Sequence, residues 1–316
     1  MGSVRATAGR VFPCGHIPRL LAGAIGVLLA LAVLAGCGGP GVPTTVTGVI
    51  RVVAAENFWG SIASQLGGAR VEVYTIVKDP AADPHEYEAT AADSVAVARA
   101  NYVIINGAGY DTWAQKLIDA NPSANRRVLN VADLLGKKQG DNPHFWYNPD
   151  FIKPVCERIT QDYRELYPNQ ADAFNMQLTV YLNSLLTPYR QMIDSIRQLY
   201  AGVKTGATES IFVYMADALG LDLISPPAFM QAVSQGSDPP GPSVAEFQQQ
   251  INQKQIAVLV YNDQTATLIT SNIKQLAEGQ RIPTVGISET LIPAGATFQD
   301  WQLGQLTALR DALAAR

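Results

Sequence analysis

Residues 49–77, VIRVVAAENFWGSIASQLGGARVEVYTIV, contain the pattern from which the fold is predicted. Two runs rich in valine, isoleucine and alanine, at 49–55 and 71–77, flank a segment with helical spacing at 57–67. Short β-branched runs separated by helices are typical of a parallel sheet that helices cover on both faces. The same alternation continues through strand candidates at 102–106 and 127–131 and helix candidates at 91–100 and 112–120.

A second block of the same kind follows a long helical stretch. Apolar residues recur at helical spacing over 169–200, which predicts a helical spine between two domains, kinked or divided at Pro188. A helical hairpin on one domain is the alternative. Beyond it, strand candidates lie at 221–224, 256–261 and 283–287, and helix candidates at 211–219, 243–254, 266–279 and 298–315. We therefore expect an α/β fold of two lobes with parallel-type sheets, and a ligand site in the cleft between them. The predicted divisions are an N-terminal lobe at 48–168, a linking helix at 169–200 and a C-terminal lobe at 201–316.

Composition and charge exclude several classes of protein. Of 316 residues, 47% are hydrophobic, which argues against disorder, and the formal net charge of −4 offers no basic excess for nucleic acid. Three cysteines are too few for a disulfide scaffold in a chain of this length. Cys156 is expected to be a small buried residue of a helix rather than a redox group.

The first 36 residues have the pattern of a secretory signal. Three arginines precede an unbroken apolar run at 20–34, which ends in Leu34-Ala35-Gly36-Cys37. This ending resembles a bacterial lipobox, which implies cleavage before Cys37 and lipidation of its thiol. A plain membrane anchor, or a signal cleaved elsewhere, is the alternative. Residues 38–47, GGPGVPTTVT, complete a flexible tether at 37–47. Removal of three arginines and no acid changes the formal charge from −4 to −7.

Only two histidines remain after the predicted cleavage, and they lie in similar contexts. One is in Asp83-Pro84-His85-Glu86-Tyr87 and the other in Asn142-Pro143-His144-Phe145-Trp146. Proline restricts its own backbone and that of the preceding residue, so both imidazoles are presented from rigid turns. Imidazole is the commonest transition-metal ligand in proteins. The chain has no Gly-x-Ser-x-Gly elbow and no phosphate-binding loop that would assign these histidines to other chemistry. We expect the two histidines to share one metal site.

Several segments in order resemble the metal-binding lipoproteins that serve zinc and manganese ABC importers. Besides the two Pro-His motifs, the similar segments are Asn106-Gly107-Ala108-Gly109-Tyr110, Thr208-Glu209-Ser210-Ile211-Phe212-Val213-Tyr214-Met215-Ala216 and Ile287-Ser288-Glu289-Thr290-Leu291. The resemblance extends from about residue 49 to the end. It implies four metal ligands, His85, His144, Glu209 and Glu289, although the family more often has Asp at the fourth position. Asp263, after a strong strand candidate, is the rival fourth ligand.

The resemblance also bears on which metal is carried. Zinc-specific relatives often have a long histidine-rich loop after the first ligand, whereas residues 86–143 contain no histidine. The third ligand is Glu209 where zinc carriers tend to have histidine. Carboxylates can bind bidentately and raise the coordination number, which favours manganese or iron(II), although intrinsic affinity at most such sites favours zinc. Manganese is the metal expected from this donor set.

The predicted function is capture of a divalent transition metal, manganese or zinc, and its delivery to the permease of an ABC importer. The protein is expected to be a monomer, anchored by Cys37 on the outer face of the bacterial cytoplasmic membrane, and not an enzyme. One alternative is a membrane-anchored metal-dependent hydrolase with Glu86 or Asp83 as general base, which needs an open coordination position for water. Another is a surface adhesin or structural lipoprotein whose histidines only cap turns.

Overall fold

The structure is a computed structural model that describes residues 48–79, 84 and 87–315. The predicted signal at 1–36, the tether at 37–47 with Cys37, and the segment with Asp83, His85 and Glu86 lie outside these residues. Within the described part of the chain, no helix combines the length and apolar character needed to cross a membrane.

The first lobe is built on a parallel sheet of four strands. Its strands are β1 (Ile50–Glu56), β2 (Val71–Val77), β3 (Tyr102–Ile105) and β4 (Arg127–Asn130). They lie in the order β2–β1–β3–β4, with Ile50 opposite Val71 and Val52 opposite Tyr102. The helices of this lobe are α1 (Asn57–Gly67), α2 (Ala91–Arg99), α3 (Thr112–Ala120) and α4 (Val131–Leu134). The continuous burial of β3 shows that both faces are covered at the centre of the sheet.

Helices connect this lobe to the second sheet. α5 (Pro149–Leu166) comes first, followed by α6 (Ala171–Val180), a π-helical segment (Tyr181–Leu185) and α7 (Thr187–Tyr200). The stretch expected to be one spine is therefore divided just before Pro188. Pro188 lies in the first turn of α7, where its missing N–H costs no helical hydrogen bond. The lobe boundaries themselves stay predictions.

The second lobe repeats the parallel order with shorter strands. Its strands are β5 (Lys204–Ala207), β6 (Asp222–Leu223), β7 (Leu259–Asn262) and β8 (Thr284–Ile287), arranged β6–β5–β7–β8. Its helices are α8 (Val213–Leu219), α9 (Pro227–Ser234), α10 (Gly241–Asn252), α11 (Leu268–Gly279) and α12 (Phe298–Ala314). The α/β class with two parallel sheets is thus confirmed. Because all strands of a sheet are parallel, the residues that follow them gather at one edge, where the polar groups described below lie.

Aromatic side chains fill the core beneath that edge in the first lobe. Phe58 stacks on Trp146 with ring centroids 3.9 Å apart, and Tyr110 meets Trp146 edge-on at 5.1 Å. The imidazole of His144 also contacts the Trp146 ring, at 5.3 Å between centroids. All four residues are buried. Close-packed rings of this kind hold the His144 side chain in one orientation.

A candidate metal centre between the lobes

Three of the side chains singled out in the sequence meet at one point. Ligand atoms of His144, Glu209 and Glu289 all lie within 4.8 Å of one another. His144 directly precedes a 3₁₀ turn (Phe145–Tyr147) of the first lobe, whereas Glu209 and Glu289 each lie two residues beyond a strand of the second. The three residues are at most 1% exposed. The cluster therefore joins the two lobes and is shielded from solvent.

The hydrogen bonds of Asn142 fix which nitrogen of His144 faces the carboxylates. The Asn142 amide nitrogen donates to the Ser210 carbonyl at 2.7 Å, so its Oδ1 is left as the acceptor. That oxygen lies 2.7 Å from His144 Nδ1, which assigns the ring proton to Nδ1. Nε2 then presents its lone pair to Glu209 Oε1, 3.4 Å away. A hydrogen bond to the far nitrogen is the usual means of orienting a metal-binding imidazole.

The distance between these two electron-rich atoms suits a bound cation. Bonds of about 2.1 Å at the tetrahedral angle place neighbouring ligand atoms about 3.4 Å apart. Nitrogen and carboxylate oxygen are the donors that zinc, manganese and iron(II) accept in proteins. Buried groups of like charge also require a positive partner or strong donors to remain in one place. The residues present therefore fit a divalent transition metal.

Three neutral side chains donate hydrogen bonds to the two carboxylates, and a fourth holds the Glu289 backbone. Asn262 Nδ2 donates to Glu209 Oε2 at 2.7 Å and to Glu289 Oε1 at 2.9 Å. The hydroxyl of Thr265 donates to the same Glu209 Oε2 at 2.7 Å. Tyr110 donates to Glu289 Oε2 at 2.6 Å, and Gln264 Oε1 accepts from the Glu289 backbone at 2.6 Å. These donors lower the repulsion between the carboxylates before any metal binds.

Sequence reasoning did not identify Asn262, Gln264 and Thr265. Their neighbour Asp263, the rival fourth ligand that follows the strong strand candidate, is exposed. Its carboxylate lies against Gly286, where an added Cβ would approach Asp263 Oδ2 to 2.4 Å. One signal in the sequence could have indicated Asn262, namely its position at the end of a strongly apolar strand candidate.

His85 lies outside the described residues, but its two flanks are held. The Trp113 indole donates to the Pro84 carbonyl at 2.9 Å, and the Tyr87 ring packs on Trp113 with centroids 4.9 Å apart. Tyr87 also donates to Asp93 Oδ2 at 3.0 Å. Asp93 completes the capping box at the start of α2, which explains the fixed chain path from Tyr87 onward.

A second pair of buried acids lies in the first lobe, Glu56 at the end of β1 and Asp111. Asp111 accepts from the backbone of Asn106 at 2.6 Å and of Gly107 at 2.8 Å, which holds the turn that carries Tyr110. Burial, together with the charge and hydrogen bond of Asp111, raises the pKa of Glu56 well above its usual value. Burial also raises the pKa of Asp111. Uptake of a proton by Glu56 would relieve the repulsion between these two buried carboxylates.

A cleft of about 650 Å³ lies beside the cluster. Its lining comes from both lobes and includes Tyr110, Asn142 and Ser210. Each of these residues contacts or adjoins one member of the cluster: Tyr110 contacts Glu289, Asn142 contacts His144 and Ser210 follows Glu209. The cleft therefore borders the buried cluster through these three neighbours.

Comparison with known proteins shows which family the chain resembles. Residues 52–312 match the family described as zinc-uptake complex component A, periplasmic. The manganese-binding lipoprotein MntA of Halalkalibacterium halodurans is 26% identical over 204 residues, 63% of this chain and 68% of that protein. The manganese-binding lipoprotein MntA of Bacillus subtilis is 23% identical over 270 residues, 82% of this chain and 86% of that protein.

A solved structure shares the fold. The Mn-bound periplasmic metal-binding protein from Candidatus Liberibacter asiaticus superposes with a TM-score of 0.69 at 19% identity, covering 84% of this chain and 99% of that one. Proteins of the matched family bind solutes for ABC importers and are not enzymes, so neither the hydrolase nor the adhesin alternative is supported. Because the family match spans most of the described residues, the chain belongs to the zinc-uptake complex component A family of metal-binding proteins of ABC importers.

Proposed function

We propose that this protein captures one divalent transition metal ion, Zn²⁺, Mn²⁺ or Fe²⁺, outside the cytoplasm and delivers it to the permease of its ABC importer. His144, Glu209 and Glu289 bind the ion. The observation that carries the proposal is their convergence within 4.8 Å at a buried point between the lobes. Ligands from both lobes make the ion a bridge, so its release requires that the lobes or their loops separate.

His85 is the fourth ligand in this proposal. Three protein ligands leave one position of a tetrahedral ion to be filled, and a transported ion is held more tightly when a protein group closes the site. The Pro-His motif and the anchoring of Pro84 by Trp113 support His85 for that position. Asp263 is the weaker candidate because its exposed carboxylate lies against Gly286.

The protein acts as a monomer tethered to the membrane through a lipid on Cys37. The sequence Leu34-Ala35-Gly36-Cys37 after an apolar run supports lipidation, and the two relatives named above are described as lipoproteins. A tether of about ten residues reaches about 30 Å when extended, enough to present the cleft above the membrane surface. Cys37→Ala should release the protein from the membrane fraction without changing metal binding.

Metal analysis tests the proposed function. Protein purified without added metal should contain about one transition metal per chain, and binding should raise the melting temperature by mass action. Glu209→Gln should lose the metal and the thermal shift, whereas Glu278→Gln, which changes an exposed acid of α11, should keep both. An unaltered metal content in Glu209→Gln would contradict the proposal.

A further inference from the structure

The last residue of β7 and the segment after it contact the two residues that carry the carboxylates. We call Asn262, Gln264 and Thr265 the carboxylate cradle. Asn262 contacts both Glu209 and Glu289, Thr265 contacts Glu209, and Gln264 accepts from the backbone of Glu289 and Thr290. Three residues of one short loop thus set the positions of both acids.

The orientation of the Asn262 amide follows from its backbone contact. Its Oδ1 accepts from the Gln264 backbone N–H at 3.0 Å, which places the NH₂ group on the side of the carboxylates. Asn262 is 3% exposed, so water does not compete for these donors. Gln264 is fixed in turn, because its side-chain nitrogen donates to Thr290 at 2.8 Å.

The decisive feature is how the hydrogen bonds are distributed on Glu209. Oε2 accepts two of them, from Asn262 and from Thr265, both at 2.7 Å. A carboxylate oxygen has two lone-pair positions, so both positions of Oε2 are occupied. Oε1 instead faces His144 Nε2 at 3.4 Å. On Glu289, by contrast, Asn262 donates to Oε1 and Tyr110 donates to Oε2.

We propose that Asn262 and Thr265 are positioning residues that restrict Glu209 to one-oxygen binding of the metal, through Oε1. This inference rests on the proposed function and states how that same site selects among ions. A one-oxygen Glu209 keeps the coordination number near four, which Zn²⁺ accepts and which Mn²⁺, an ion of octahedral oxygen-rich sites, does not prefer. The separation of 3.4 Å between Oε1 and Nε2 matches a tetrahedral edge.

This inference changes the expectation drawn from the residue types alone. Two carboxylates favour manganese when both bind through two oxygens, which raises the coordination number. The carboxylate cradle prevents two-oxygen binding at Glu209. The preference of the site for zinc over manganese should therefore be larger than the ligand types alone indicate.

Thr265→Val is the sharpest test because valine has the shape of threonine without the donor. Freeing one lone pair of Oε2 should let Glu209 bind through two oxygens. The dissociation constant for Mn²⁺ divided by that for Zn²⁺ should then fall about tenfold, which means a weaker preference for zinc. This lies within the range of effects that residues behind the ligands of a metal site usually have. Thr265→Ser, which keeps the hydroxyl, should retain the wild-type ratio. Thr179→Val, which removes a hydroxyl bonded within α6, should also leave it unchanged.

Competition titrations of Zn²⁺ and Mn²⁺ would give the two constants for each variant. If Thr265→Val binds both metals with the wild-type ratio, the inference is overturned while the proposed function stands. If the wild type binds neither ion, the proposed function itself fails.

The wild-type protein provides a test that needs no variant. Co²⁺ absorbs strongly in the visible range when four-coordinate and weakly when six-coordinate, so the Co²⁺-loaded protein should absorb strongly. Weak absorption of a stoichiometric Co²⁺ complex would overturn the inference whatever the variants do. In Thr265→Val the absorption should fall, and in Thr265→Ser it should not.

Discussion

The two sheets have the same parallel order, β2–β1–β3–β4 in the first lobe and β6–β5–β7–β8 in the second. At equivalent places each lobe has a buried acid and a buried asparagine. Glu56 ends β1 and Asn106 follows β3, while Glu209 follows β5 and Asn262 ends β7. Asn106 binds Trp59 and Pro143 of its own lobe, whereas Asn262 binds two predicted ligands.

The difference shows how one topology supports two tasks. In the first lobe the buried acid Glu56 has a raised pKa beside Asp111, and Asp111 holds the turn that carries Tyr110. In the second lobe the acids face a histidine and stay available to a cation. The second lobe therefore supplies negative charge, and the first lobe supplies rigid polar groups that reach across to it.

The largest effect expected from this comparison separates Glu209 from Glu56. Glu209→Gln removes a charged ligand, so metal affinity should fall by more than the roughly 10- to 100-fold that loss of an outer partner costs. Glu56→Gln should keep metal binding, because the amide retains a donor where a protonated acid stood. Calorimetric titration of both variants with metal checks this. Equal losses of metal affinity in the two variants would contradict the assignment of the metal-binding acid to the second lobe.

The acid pair also has a pH signature. The pKa of Glu56 is raised, so the folded chain retains a proton that the unfolded chain releases above pH 4.5, the ordinary value. The free energy of unfolding should then decrease as pH rises from there towards the raised pKa. Glu56→Gln should flatten this decrease and equal or exceed the wild-type stability at pH 8. Urea titrations of the metal-free proteins across that range measure it, and a wild-type slope retained by the variant would contradict the assignment.

The stabilisation of the fold by bound metal should decrease in acid, because protons compete with the metal for the histidines. A metal binds the unprotonated imidazole, and free imidazole takes up a proton near pH 6.5, so binding weakens in mild acid. At a hundredfold excess over Kd, bound metal adds about 2.7 kcal/mol to the free energy of unfolding. The thermal shift with zinc should shrink between pH 7.5 and pH 5, and the double variant His85→Ala with His144→Ala should lose most of it. An equal shift in that variant would place the metal elsewhere.

Two glycines offer a smaller test of the two lobes. Gly107 has φ +79°, and an added Cβ would lie 2.0 Å from Asn130 Oδ1, so Gly107→Ala should cost about 1–3 kcal/mol and disturb the Tyr110 turn. The three atoms nearest to a Cβ added at Gly286 belong to the movable side chain of Asp263, so Gly286→Ala should cost about 0.5 kcal/mol. Thermal unfolding of the metal-free variants compares them, and the reverse order would show that the rigid turn is not in the first lobe.

The smallest expected effect concerns the anchor of Pro84. Trp113→Phe keeps an aromatic ring but removes the donor to the Pro84 carbonyl. If His85 is a ligand, metal affinity should fall by a few fold, since a hydrogen bond of this kind contributes about 1 kcal/mol. Tyr87→Phe, which removes a bond to Asp93, should have a similar effect. Affinities equal to wild type in both variants would show that this anchoring does not matter for the site.

β1 and β3 were predictable because burial on both faces demands apolar runs, and the partly exposed β2 and β4 were predictable from their valines. β5 was not predictable, because its sequence Lys-Thr-Gly-Ala contains no run of β-branched residues. Gly206 is required in this strand because Ile256 and Phe247 approach its backbone closely. The π-helical segment was likewise invisible, because helical spacing does not distinguish it from α-helix.

The candidate ligands could be proposed from residue chemistry and family resemblance, whereas the groups that hold them could not. Nothing in the local sequence of Asn262 shows that its amide meets two acids that lie 53 and 27 positions away. The contact of Tyr110 with Glu289 likewise exists only because the lobes pack together. The placement of His85 and the choice of fourth ligand stay predictions.

Anomalous diffraction from crystals of the metal-loaded protein tests the central claim most directly. With zinc bound, the account predicts one strong anomalous peak about 2.0–2.2 Å from His144 Nε2, from Glu209 Oε1 and from one oxygen of Glu289. A fully occupied peak that contacts none of these three residues would contradict it.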